Sequence, residues 1–237
     1  MRKPVVFALA ALALLAGAAV LLWPRIAEWN RVRAAQGELL EQPVYRVLRE
    51  HEPEAFGRMA RKYAELEAGG ITPAGFSNFS SAVLAEVATR RMAHASDEAV
   101  LALMRDMVVT GRRLEAQPGD ACFRFLFPEV SGPPDLANVP DQAAQARTHQ
   151  VIADVIRTSA ETPQALPDPA AVSDSLTAVV NATYEQFGAD AQMIANAADP
   201  RVDRAKVCTI TLALYDRILS RPPADASALL RAMTQMN

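Results

Sequence analysis

Ser96-Asp97-Glu98-Ala99-Val100-Leu101-Ala102-Leu103-Met104-Arg105-Asp106-Met107-Val108-Val109-Thr110-Gly111-Arg112-Arg113 is the stretch from which the fold is read. Its apolar residues Val100, Leu101, Met104, Met107 and Val108 recur at i, i+1, i+4, i+7 and i+8, the stripe of an amphipathic helix. Ser96 is an N-cap residue type followed by two acids, and Arg112-Arg113 suits a helix C-terminus, where cations meet the negative end of the dipole.

The same period extends in both directions. Upstream, a helix is expected around Ser80 to Ala93, with Val83, Leu84 and Val87 on its apolar face and Arg90-Arg91 closing it. Downstream, Asp199-Pro200 reads as a cap with a proline at the first helical position. That helix is expected to run through Val202, Val207, Cys208, Ile210, Leu212, Leu214, Tyr215, Ile218 and Leu219 to Pro222-Pro223. Its apolar residues occupy more than one stripe, which points to a central place in a bundle. A short last helix is expected from about Asp225 to Met236, carrying Leu229, Leu230 and Met233. No alternating run of β-branched and aromatic residues persists, and no Asn-Gly or Asp-Gly hairpin signal occurs. The chain is therefore expected to be all-α: an N-terminal transmembrane helix followed by a single multi-helix bundle domain.

The transmembrane expectation rests on the first residues. Met1-Arg2-Lys3 precedes an uncharged run from Pro4 to Trp23, followed by Pro24 and Arg25. A run of that length is what a helix needs to cross the hydrocarbon core. Ala16-Gly17-Ala18 resembles a signal-peptidase site, but Ala19, Val20, Leu21, Leu22 and Trp23 continue the apolar run past it. Cleavage after Ala18 would expose a greasy new N-terminus, so residues 1–24 read as an uncleaved signal-anchor. Arg2 and Lys3 before the run nearly balance Arg25, Arg31 and Arg33 after it, which fixes orientation poorly. The short basic tail and the large following domain favour an inner-membrane, single-pass topology with residues 25–237 in a bacterial periplasm.

Composition narrows the function classes. The 237 residues carry a formal net charge of -3, giving no electrostatic reason to expect nucleic acid as a partner. From Pro128 onward thirteen acids face eight bases, while Arg31, Arg33, Arg46 and Arg49 cluster nearer the anchor. Those arginines suit either anionic headgroups or a solvated helix face. The proline-bearing stretches Pro128 to Pro140 and Thr162 to Pro169 suggest possible halves, 25–127 and 141–237. Cys122 and Cys208 form a disulfide candidate in an oxidising compartment and would tie those halves into one domain. The other reading of the pair is two buried free thiols.

Catalytic and metal signatures are weak. His51, His94 and His149 lie on separate segments, without His-x-x-x-His or Cys-x-x-Cys spacing, so neither a metal site nor a cofactor is expected. Glu50-His51-Glu52-Pro53 reads as an exposed charged helix end, and Gly75-Phe76-Ser77-Asn78-Phe79 lacks the second glycine of a nucleophile elbow. The densest aromatic stretch is Cys122-Phe123-Arg124-Phe125-Leu126-Phe127. Phe123, Phe125 and Phe127 read as core anchors; failing that, they and Phe76 and Phe79 are where a protein partner would be sought. The expected function is non-enzymatic: a membrane-anchored protein binding another envelope protein, as an accessory subunit or immunity-type inhibitor. Two alternatives stand beside it, a small-molecule or lipid-binding periplasmic domain and a cell-wall or lipid-directed enzyme.

Overall fold

The structure is a computed structural model and describes residues 23, 25–134 and 142–235. Among the described residues every regular element is helical and there is no strand. In chain order these are α1 through residues 25–39, α2 (Pro43–His51), α3 (Pro53–Glu67), α4 (Pro73–Met92), α5 (Asp97–Glu115), α6 (Ala121–Leu126), α7 (Pro128–Ser131), α8 (Gln142–Glu161) and α9 (Pro169–Phe187). A 3₁₀ turn (Gly188–Met193), α10 (Arg204–Leu219) and α11 (Pro223–Met233) complete the chain. No helix among the described residues is long and apolar enough to cross a membrane. The apolar run on which the anchor expectation rests lies, apart from Trp23, outside the described residues.

The expected start of α5 is confirmed in detail: Ser96 accepts a hydrogen bond from the Ala99 N–H, and Arg112 and Arg113 occupy the last turn. Val100, Leu101, Leu103, Met104 and Val108 are buried along it. Proline sets several other starts, standing at the first turn of α2, α3, α4, α9 and α11. There its missing N–H would have had no intrahelical partner.

α10 begins later than the sequence suggests. Asp199 is not its cap: its carboxylate accepts from the backbone N–H and guanidinium of Arg201, closing a turn. Asp203 caps the helix instead, accepting from the Lys206 N–H. The C-terminal helix likewise runs Pro223–Met233 rather than from Asp225, and the long proline-bearing connection contains the short helix α7.

α8 and α5 form the spine. α8 packs against α2, α4 and α5, while α5 also receives α6, α10 and α11, and α9 lies across α10 and α11. A continuous core runs from Leu39, Leu48 and Met59 through Leu84, Val100, Val155 and Ile156 to Ile218, Leu229 and Leu230. Each such side chain, fully withdrawn from water, stabilises the fold by about 1.5–3 kcal/mol before entropy is counted. Because α8 follows the proline-rich connection yet inserts among helices that precede it, the two expected halves interdigitate.

α1 joins this body only at its end. Ala35 and Leu39 are buried, and Glu38 accepts a hydrogen bond from the Tyr63 hydroxyl at 2.8 Å. That bond, with burial and the nearby acids adding to it, pushes the Tyr63 phenol up to about 12. No residue of α1 before Ala35 is buried.

Candidate functional site

The chemistry-bearing corner of the molecule is built around the two cysteines. Cys122 on α6 and Cys208 on α10 form a disulfide, with Cα atoms 5.9 Å apart across 86 residues of sequence. Both are buried, packed with Leu114 of α5 and Leu212 of α10. Cys208, Leu212, Tyr215 and Leu219 recur three or four residues apart along one line of α10, and Cys208 and Leu212 on it are fully buried. The bridge thereby fixes the short helix α6, which at six residues has little stability of its own.

Residues next to each cysteine build the adjoining aromatic cluster. Phe123 is 1% exposed and packs with Val207 and Ala197. Phe127 stacks on it, centroids 5.1 Å apart and planes 26° from parallel. The Arg204 guanidinium lies 5.1 Å from the Phe123 ring centroid and pairs with Asp120 at 2.6 Å. Phe127, Val130, Met193 and Val202 pack against this cluster but stay partly exposed.

Beside it opens a groove of about 420 Å³, lined by Ala189, Gln192, Met193, Asn196, Asp199, Arg201 and Val202. Met193 and Val202 belong to both groove and aromatic cluster. Gly188 makes the geometry possible. It takes φ +59°, a conformation L side chains rarely adopt, so that α9 stops and the chain turns into the 3₁₀ segment of the groove wall.

The lip is polar but self-paired. Asp199 accepts from Arg201 through both carboxylate oxygens, at 3.0 and 2.7 Å. Those side-chain bonds and the Arg201 backbone N–H hold the Asp199 carboxyl below its usual range. The depression is shallow and open, and its lining mixes apolar Ala189, Met193 and Val202 with polar Gln192, Asn196, Asp199 and Arg201.

The other sequence-selected aromatics lie elsewhere. Phe76 meets Tyr63 edge-on at 5.0 Å, and Phe79 lies under the Lys62 ammonium at 5.8 Å. Both are half-buried on α4 against the main core. Phe125 packs on the disulfide cluster. The five phenylalanines therefore form no single surface: Phe123 is the interior of the cluster next to the groove and Phe127 packs on it half-exposed, while Phe76, Phe79 and Phe125 lie elsewhere.

The histidines are equally dispersed. His51 is half-buried near Glu161 at 4.0 Å, where the sequence suggests an exposed helix end. His94 Nδ1 lies 3.0 Å from the Gln164 carbonyl. His149 meets the Tyr45 ring at 6.0 Å, and burial pushes its pKa down. No group of three or more potential metal ligands occurs among the described residues.

Sequence reading missed the groove because Asp199-Pro200 mimics a helix start. The available signal was local: an acid two residues before an arginine, which closes its own turn and competes with capping. Comparison with protein families, with curated proteins and with solved structures finds no match to this chain.

Proposed function

We propose that this chain is a bacterial envelope protein, anchored in the inner membrane by residues 4–23, whose periplasmic helical domain acts without catalysis by binding another protein at the disulfide-clamped corner. The observation carrying this reading is the groove itself. Its floor residues Met193 and Val202 continue into half-exposed Phe127 and Val130, and a covalent bridge holds the scaffold beneath. A surface depression of mixed polarity, with apolar side chains beside paired polar ones, is a form in which a partner's anchor side chain can be received. The disulfide supports an oxidising compartment.

A second reading has one specific observation in its favour. A volume of about 420 Å³ falls in the range of small-ligand sites. A small apolar molecule would occupy the same floor.

Photo-crosslinking residues placed at Val130 and Arg201 in the full-length protein test both readings in intact cells. One reproducible protein adduct is expected from these positions and not from exposed Val109 on α5. Gln192→Arg, at an exposed position of the lining, should weaken it without lowering the melting temperature. Equal labelling at Val109, or no protein adduct at the groove, overturns the first reading; retention of a small molecule by purified protein would then favour the second.

A further inference from the structure

We propose that Trp23 and the face of α1 bearing Ile26 and Trp29 lie in the headgroup region of an anionic phospholipid bilayer, with Arg25 and Arg33 pairing the lipid phosphates. The inference rests on the anchor reading above. The chain contains two tryptophans, and both are strongly exposed: Trp23 at 71% and Trp29 at 59%, with Ile26 between them at 49%. Large aromatic side chains in a folded domain are ordinarily withdrawn from water, and these are not. Indole rings favour the membrane interface, where an apolar body and a polar N–H are both accommodated.

Ile26, Trp29 and Arg33 share one helix face by spacing, and the Arg33 guanidinium sits 5.2 Å from the Trp29 ring centroid. Ala35, the first buried residue of α1, points about 120° away around the helix from Trp29. The domain thus covers a different side and leaves the tryptophan face open. Between residues 25 and 33, three arginines are offset by Glu28 alone, a charge balance complementary to anionic headgroups. The apolar run 4–22 ends where this face begins, which would place it at bilayer level. A second copy is the poorer occupant. Ile26, Trp29, Arg33 and Gln36 follow coiled-coil spacing, so a helix pair would bury a guanidinium and an amide in its seam, whereas lipid phosphate pairs Arg33 directly.

The full chain carrying Trp23→Phe leaves Trp29 as its sole tryptophan. Reconstituted in phosphatidylcholine vesicles with and without phosphatidylglycerol, it reports this surface directly. Trp29 emission should shift to the blue and be quenched by lipids brominated near the headgroup, more strongly with phosphatidylglycerol. Arg25→Gln and Arg33→Gln should each reduce the ratio of lipid-quenched to water-exposed Trp29 about fivefold, whereas Arg31→Gln, on the far side of the helix, should change it little. Trp29 quenched by aqueous iodide but not by brominated lipid overturns the inference, and so does Trp29 shielded from both, which would mean a protein cover. Retention of the chain through an alkaline wash tests the anchor separately. Retention with water-exposed Trp29 overturns the headgroup placement alone, while loss of retention with Trp29 still in anionic lipid supports it and overturns only the spanning anchor.

Discussion

Gly111 on α5 lies directly against Leu212 on α10: a Cβ added to Gly111 would stand 2.6 Å from Leu212 Cδ2. Ordinary carbon contact is about 3.5–4.0 Å, and Leu212 is fully buried beside the disulfide. The glycine lets two helices that flank the disulfide approach closely.

Gly111→Ala should therefore destabilise the fold. Overpacking costs about 1–3 kcal/mol, and alanine's better helix propensity returns about 1 kcal/mol, leaving a net loss of about 1 kcal/mol in urea unfolding. In a Leu212→Ala background the clash disappears and the same change should stabilise by about 1 kcal/mol. A sign that does not reverse across this double-mutant cycle would refute the contact.

The disulfide closes a loop of 86 residues. In the chain-entropy model its loss costs about 4–5 kcal/mol. Cys122→Ser/Cys208→Ser should lower the urea midpoint accordingly, and the wild type should shift on a non-reducing gel after reduction and alkylation. Equal stability of the reduced and oxidised proteins would contradict a structural bridge.

Phe123 and Phe127 stack on each other but differ in burial, so their alanine variants should separate. Phe123→Ala empties a fully enclosed site and should cost about 3–5 kcal/mol. Phe127→Ala, on the partly exposed side, should cost about half that and weaken partner capture with the domain still folded. Calorimetry on both variants checks the order; equal losses would place Phe127 in the core.

Arg231 of α11 is buried, donating through Nε to the Ala95 carbonyl at 3.2 Å and through Nη2 to the Asp97 carboxylate. Arg231→Met removes a partner from the fully buried Ala95 carbonyl and should cost about 2 kcal/mol. The exposed Arg58–Glu86 pair is a control: Arg58→Ala should change stability by less than about 1 kcal/mol. Similar losses in urea titrations of the two variants would remove the special role of Arg231.

His149 gives the fold a pH dependence with a definite sign. Burial holds its folded pKa below the usual 6.5, and the Tyr45 hydroxyl beside it is already hydrogen-bonded to Ser80 at 2.8 Å. As pH falls below about 6.5 the unfolded chain takes up the proton first, so stability declines until pH passes the folded pKa; above 6.5 this residue adds no slope. Glu52 titrates lower. Burial raises its pKa, but the hydrogen bonds from Arg91 and Arg90 outweigh that and hold it below 4.5. Urea midpoints from about pH 5 to 7.5 should slope in wild type and flatten in His149→Phe. An unchanged slope would assign the effect to another group.

The class of structure was legible in the residues, because helix signals are local. The stripe from Val100 to Val108 and the Ser96 cap act within a few residues and appear in α5, whereas the Asp199-Pro200 start expected for α10 is replaced by the Asp203 cap. Distances between elements were not legible there and came from the packing of the whole chain. That α8 is the central helix is not written in its pattern, since Ile152, Val155 and Ile156 show one apolar face and not which helices cover it. The approach of Gly111 to Leu212 and the reach of Arg231 to Ala95 span 101 and 136 residues, separations that spacing rules do not address. The groove is of the same kind: its lining residues act together because a disulfide, a left-handed glycine and a self-closing Asp199–Arg201 turn set α6, the 3₁₀ segment and the approach to α10 side by side. Local pattern selects helices through short-range hydrogen bonds and dipoles, whereas a site depends on packing choices that compete across the whole chain.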